Sequence, residues 1–185
     1  MTKRKIGVLV GSLRKESFNL KMAKALMEMA PERLSMELIA IGDLPLYNED
    51  LEASIPIQWK RFREELQTFD GLLFVTPEYN RSIPGVLKNA IDVGSRPRDK
   101  NCWNGKPGAV VTVSTGNIGG FGANHHLRQS LVFVNVPVMA QPEAYVGGAA
   151  KLFDDQGTLT NDSTGEFLQK FMIAFSRWVD ANARS

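Results

Sequence analysis

Cysteine is almost absent from this chain of 185 residues. Cys102 is the only one, so an internal disulfide and a cysteine-rich metal site are both excluded. No partner motif surrounds it, and Cys102 reads as an incidental residue. An excess of one charge is also lacking, since 22 Lys and Arg stand against 20 Asp and Glu, a formal net charge of +2. The basic residues are spread, not blocked, which argues against a nucleic-acid partner. The slight positive balance is compatible with anionic small molecules. No stretch approaches the roughly 18 apolar residues that a membrane helix needs. Lys3, Arg4 and Lys5 precede an apolar run far too short for a signal peptide. A cytoplasmic protein that engages neither membrane nor nucleic acid is expected. Histidine is confined to His125 and His126. Neighbours on a helix point roughly 100° apart and no carboxylate sits at ligand spacing, so no metal site is expected.

Three common site motifs are missing as well. After the first apolar run only Gly11 is present, with Ser12 and Arg14 where a G-x-G-x-x-G dinucleotide loop needs further glycines. Neither a G-x-x-x-x-G-K-[ST] phosphate loop nor a G-x-S-x-G nucleophile elbow occurs.

What is present is an alternation of strand-like and helix-like segments. With 43% apolar residues, residues 1–185 are expected to form one domain with a sizeable core. Ile6 to Val10 is continuous apolar sequence, as in a parallel strand buried on both faces. A helix capped by Ser17 or Asn19 runs to about Ala30 and stops at Pro31. Met36 to Ile41 reads as a second strand, followed by a long loop from Gly42 to Ile55. Trp59, Phe62, Leu66 and Phe69 mark one face of a helix that Asp70-Gly71 closes. Leu72 to Val75 is the third strand. Pro84 fits the first turn of the next helix, which carries Leu87, Ala90 and Ile91 inward. Residues 95–108 read as loop, Ala109 to Val113 as a fourth strand, Asn124 to Val134 as a helix, and Val138 to Gln141 as a fifth strand stopped by Pro142. Ser163-x-x-Glu166 resembles a capping box ahead of the amphipathic run Phe167 to Val179. Five strands alternating with helices predict an α/β three-layer sandwich around a parallel sheet. The flavodoxin-like order 2-1-3-4-5 requires none of the missing motifs.

Two loops leave strand ends, Gly11 to Asn19 and Thr76 to Gly85. Ligands of open α/β sheets bind outside the carboxyl ends of the strands, so both loops are expected to share one pocket. Ser12, Arg14, Ser17 and Asn19 offer hydroxyl, guanidinium and amide donors. The helix start behind them adds free N–H groups and a partial positive charge. This set suits a terminal phosphate dianion, although Ser17 and Asn19 acting only as caps is the alternative. In the second loop Pro77 stiffens the backbone, Tyr79 can lie against a ring face, and Asn80 can pair with ring edge groups. A plain turn with a packed tyrosine is the competing reading. Ser114 to Gly120 holds three glycines that let backbone amides approach a ligand. Amides aimed at the N1–C2=O edge of a flavin would stabilise its reduced form. A flexible loop is the alternative. Arg96 and Arg98 follow as loop cations, open to nucleotide phosphates, to an anionic acceptor, or only to solvent.

Gly11-Ser12-Leu13-Arg14-Lys15-Glu16-Ser17-Phe18-Asn19 and the run from Thr76-Pro77-Glu78-Tyr79-Asn80 through Ser82, Pro84-Gly85 and Leu87-Lys88-Asn89-Ala90-Ile91-Asp92 resemble the two signatures of the NADPH-dependent FMN reductase family. That family includes bacterial NAD(P)H:quinone reductases, chromate reductases and some azoreductases. The likeness extends to Gly105-Lys106-Pro107, Gly119-Gly120 and His126-Leu127-Arg128-Gln129, nearly the whole chain.

The resemblance implies a flavodoxin-like fold holding FMN, usually in a homodimer or homotetramer. It places cofactor binding on Ser12, Leu13, Arg14, Ser17, Phe18 and Asn19 for the phosphate. Pro77, Glu78, Tyr79, Asn80 and Arg81 serve the ring, with Ser114, Thr115 and Gly116 on its far side. The implied reaction is ping-pong. NADPH or NADH gives hydride to flavin N5 and leaves, then a quinone, chromate, azo dye or free flavin takes its place. The flavin carries the chemistry, so no catalytic side chain is expected. Arg96, Arg98 and His125 are the expected substrate contacts. Chromate-reducing members tend to have tyrosine where this chain has His125, and an aromatic or smaller residue where it has Arg81. Both departures bear on acceptor preference and not on FMN binding. An electron carrier of the flavodoxin type, or a redox sensor, is the alternative function, and the net charge of +2 argues against the usually acidic carriers.

Overall fold

Ile6 to Val10 is buried without interruption, as a strand covered on both faces must be. It belongs to β1 (Arg4–Val10), which leads to α1 (Phe18–Glu28), β2 (Leu34–Leu38), α2 (Ile57–Gln67), β3 (Gly71–Thr76) and α3 (Gly85–Gly94). Then follow β4 (Gly108–Val113), α4 (Phe121–Phe133), β5 (Ala144–Val146) and α5 (Asp162–Asn182). The structure, a computed structural model, describes residues 3–183. The two residues at each end of the expected domain lie outside the described residues. Every strand pair is parallel and the order is β2-β1-β3-β4-β5, the flavodoxin-like order expected.

Strand residues alternate between the two faces of the sheet. Leu9, Leu72 and Phe74 meet Trp59, Phe62 and Leu66 of α2, Leu87 and Ile91 of α3, and Trp103. Ile6, Val8, Leu73 and Val75 meet Met22 and Leu26 of α1 and Phe171, Phe175 and Val179 of α5. Full burial of each of these side chains contributes roughly 1.5–3 kcal/mol, so the two helical layers hold the sheet between them. The carboxyl ends of β1, β3 and β4 open at one rim.

Several element boundaries differ from the sequence expectation. The fifth strand is Ala144–Val146, beyond Pro142, and not Val138 to Gln141. Val138 makes only an isolated bridge to Gly108. Pro137 and Pro142 bracket that run and lack the N–H a ladder needs. Its apolar character reflects burial of Met139 and partial burial of Val138. The expected capping box is also displaced. Asn161 is the N-cap of α5, its Oδ1 accepting from Thr164 N at 2.9 Å and from Ser163 Oγ at 2.9 Å. Asn caps as well as Ser does, and it stands earlier. Pro84 sits at the N-cap of α3 and not in its first turn. α4 begins at Phe121, ahead of Asn124. β2 ends at Leu38, and α2 ends at Gln67, leaving Phe69 buried in the turn behind it. The two long loops contain 3-10 turns at Glu49–Ser54 and Arg98–Lys100. Among the described residues, no helix is long and apolar enough to cross a membrane.

Candidate active site

Gly11 begins the site because it has no side chain. Its N–H donates to Val75 O at 2.9 Å. A Cβ there would lie 2.8 Å from Thr76 Cβ and 3.3 Å from Leu87 Cδ2. Two loops can therefore leave adjacent strands side by side. The first turns into α1 at Ser17, whose Oγ accepts from Leu20 N at 3.2 Å in the ordinary N-cap manner. Ser17 is both the expected cap and a cleft residue. Arg14 is exposed, and among the described residues its guanidinium has no ion-pair partner. Asn19 is buried. Its Nδ2 donates to Val113 O at 3.5 Å, while its Oδ1 is buried and has no partner among the described residues. An unsatisfied buried acceptor costs about 1–3 kcal/mol, so this atom asks for a hydroxyl or amide donor.

The second loop folds into a tight hairpin turn. Tyr79 and Ser82 exchange both backbone hydrogen bonds at 2.9 Å. Asn80 and Arg81 occupy its two central positions at φ 51° and 65°, the geometry of a type I′ turn. Asn tolerates that region, whereas Arg holds it against strain. Glu78 anchors the turn. Its Oε1 accepts from Arg81 Nη1 at 3.0 Å, and its Oε2 accepts the N–H of Ala123 at 3.0 Å. The N-cap of α4 is Gly120, which has no side chain to cap with. Glu78 supplies that cap from another loop, where a carboxylate also meets the positive end of the helix dipole. Gly122 keeps the way open, since a Cβ there would lie 3.0 Å from Glu78 Oε2. Ser82 Oγ and His126 Nδ1, 2.6 Å apart, make a second tie between turn and helix.

These loops enclose a cleft of about 170 Å³ lined by Ser12, Arg14, Ser17, Phe18, Asn19, Pro77, Glu78, Tyr79, Ser114 and Thr115, all expected from the sequence. Val113 also lines it and had no signal beyond its place at the end of a strand. Four expected residues are outside the lining. Leu13 is exposed and leans towards Gly42. Asn80 and Arg81 form the turn tip. Gly116 gives its N–H to Ser114 Oγ at 3.1 Å, and Ser114 N donates to Val146 O at 2.9 Å. The expected row of amides is thus partly engaged within its own loop.

The expected substrate contacts lie elsewhere in the chain. The His125 ring lies tilted against Phe121 at 4.3 Å between ring centroids, and its Nε2 is 3.0 Å from the Tyr145 hydroxyl. Burial, then the hydrogen bond and charge of Glu143, push the Tyr145 phenol up to about 12 against the opposing Arg128. Arg96 donates to Ser95 Oγ at 3.2 Å and lies over the Tyr47 ring at 5.9 Å. Together with Arg98 it lines a separate groove with Tyr47, Glu49 and Glu52. The length of α3, about 15 Å for its ten residues, separates them from the turn. One chain does not bring Arg96 or Arg98 to the cleft. Cys102 is buried, which pushes its thiol up, and it stands apart from this site.

Comparison with known proteins gives the family. Residues 4–151 match the NADPH-dependent FMN reductase family. A quinone reductase of Pseudomonas putida is 63% identical over 178 residues, covering 96% of this chain and 95% of that protein. A 2-hydroxy-1,4-benzoquinone reductase of a Burkholderia species is 44% identical over 175 residues, covering 95% and 96%. Among solved structures, FerB, a flavoenzyme NAD(P)H:(acceptor) oxidoreductase from Paracoccus denitrificans, superposes with a TM-score of 0.92 at 42% identity, over 98% of this chain and 100% of that one. The family match runs from β1 to the turn after β5 and takes in every residue of the cleft, so the chain belongs to the NADPH-dependent FMN reductase family.

Proposed function

We propose that this chain is an FMN-dependent NAD(P)H:quinone oxidoreductase that serves donor and acceptor in turn at one open cleft. The observation that carries the reading is that, among the described residues, the buried Asn19 Oδ1 has no partner and Arg14, at the same helix start, has no ion pair. A phosphorylated polyol chain meets both needs, since its hydroxyl donates to Asn19 and its phosphate takes Arg14, Ser12, Ser17 and the α1 N-terminus. FMN has that chain, and the residues present fit it. When bound, FMN supplies the two-electron redox centre, exchanging hydride at N5.

The protein's part is position and charge. Phe18 and Pro77 wall the cleft, and half-exposed Tyr79 offers a ring face to a planar heterocycle. No side chain acts as an obligatory acid or base. NADPH and NADH both fit this reading, and chromate, azo dyes and free flavin are further candidate acceptors at so open a site. A cytoplasmic location follows from a donor drawn from the nicotinamide pool. A homodimer or homotetramer is supported by α4, which exposes Phe121, Val132 and Phe133. In such an assembly Arg96, Arg98 and His125 meet nucleotide or acceptor only from a neighbouring subunit.

The test is steady-state oxidation of NADPH and of NADH with 1,4-benzoquinone by purified protein. Yellow protein that releases FMN on heating, turnover, and parallel double-reciprocal plots support the proposal. A protein that binds added FMN but oxidises neither nucleotide is an electron carrier or sensor. Intersecting plots refute the shared cleft.

A further inference from the structure

We propose that Arg81 selects anionic acceptors, quinones bearing an ionised ring hydroxyl or carboxylate, at the mouth of the cleft. The inference rests on the quinone reductase reading above. It begins with backbone strain. The second central position of a type I′ turn is glycine's place, and Arg81 holds it at φ 65°. Strained residues persist where the surrounding structure holds them, and they cluster at functional sites. Here the holding contact is Glu78, whose Oε1 is 3.0 Å from Arg81 Nη1. Glu78 lines the cleft, so the guanidinium stands at its rim, two residues from Tyr79.

Charge at the rim then points to an anion. Glu78 is the only carboxylate among the lining residues, and its other oxygen is taken by the Ala123 N–H at the start of α4. Its negative charge is shared with that helix end. The contact with Glu78 engages one nitrogen of Arg81, leaving further N–H donors of a planar fork that suits carboxylates and enolates. Arg14, the other cation at the cleft, is matched to the phosphate end. Arg81 is the cation left for the acceptor.

The reaction adds to the value of that charge. Quinone, NAD(P)H and one proton give hydroquinone and NAD(P)+. Two electrons pass to the quinone, and solvent supplies the proton. Negative charge grows on a quinone oxygen as hydride arrives, where a preorganised cation stabilises it. A ring-hydroxylated quinone is a vinylogous carboxylic acid, ionised at neutral pH, and starts the reaction with a charge for Arg81 to meet.

The test compares kcat/KM for 2-hydroxy-1,4-benzoquinone and 1,4-benzoquinone in the wild type, Arg81→Gln and Arg81→Lys. The anionic-to-neutral ratio should fall about 2- to 5-fold in Arg81→Gln, as expected for a largely exposed charge pair. Arg81→Lys should retain most of it, and added salt should reduce the wild-type ratio. Any loss of FMN scales both substrates equally and cancels in the ratio. Dissociation constants of benzoate against benzamide, which are not reduced, should move by the same factor. An unchanged ratio in either measurement overturns the inference. Failure to turn over 1,4-benzoquinone in the wild type instead overturns the reading on which it rests.

Discussion

Replacing Glu78 with alanine removes two contacts made by one carboxylate, and their worth can be set out separately. The Oε2 contact caps α4 at Ala123 N, and losing a side-chain cap costs about 0.5–2 kcal/mol. The Oε1 contact is an ion pair with Arg81, whose side chain is 72% exposed. Such pairs contribute at most about 1 kcal/mol, and solvent screening discounts this one towards the low end. The cap therefore dominates, and the loss should be about 1–2 kcal/mol. For a chain of this size that lowers Tm by about 2–8 °C. Glu78→Gln keeps an oxygen to accept from Ala123 and gives up only the charge, so its loss should be less than half that of alanine. Thermal unfolding followed by far-UV circular dichroism, with urea titration as a second measure, reads both variants. An alanine variant as stable as the wild type would refute the cap. A glutamine variant as unstable as alanine would show that charge, and not the hydrogen bond, holds the helix start.

Three further outcomes are expected. Arg14→Ala should weaken FMN binding about 10- to 150-fold, the cost of roughly 1.5–3 kcal/mol for a charge-assisted contact; unchanged quenching of FMN fluorescence would make Arg14 a solvated loop residue. Tyr145 should ionise near pH 12 in a 295 nm titration, and Tyr145→Phe should delete that step. Because the folded state holds this proton more tightly than the unfolded chain does, its stabilising contribution is full below pH 10 and lost as pH rises through about 12. Native Cys102 should resist iodoacetamide and react once the chain is unfolded in urea, since burial raises its thiol and shields it; equal rates would contradict the packing around it.

The parts of the fold that were legible in the sequence are those set by burial on both faces of the sheet. Ile6 to Val10 and Leu72 to Val75 could only be central parallel strands, and the chain order of strands and helices left few topologies. Val138 to Gln141 misled because an apolar run reports burial and not hydrogen bonding. The true edge strand, Ala144–Val146, is short and lies beyond a proline. Most of the cleft was legible too, because loops after strand ends carry it. Val113 was not, since its strand residue exposes only an edge to the site. The role of Glu78 as a cap for α4 was out of reach as well. It joins residues 45 apart in sequence, and nothing local to either signals the contact. Arg96 and Arg98 follow the turn's helix in sequence, but the helix itself carries them away from the turn.

The two ties between the 79–82 turn and α4, Glu78 to Ala123 and Ser82 to His126, make a helix start report on a cleft it does not line. A ligand that steadies the turn must steady the first turn of α4 through the same coupling free energy, and whatever loosens that helix end must weaken the ligand by an equal factor. Amide hydrogen exchange at Phe121 to Asn124 would then slow on occupancy of the cleft, and Glu78→Ala would weaken that response while leaving exchange at the buried strands unaltered.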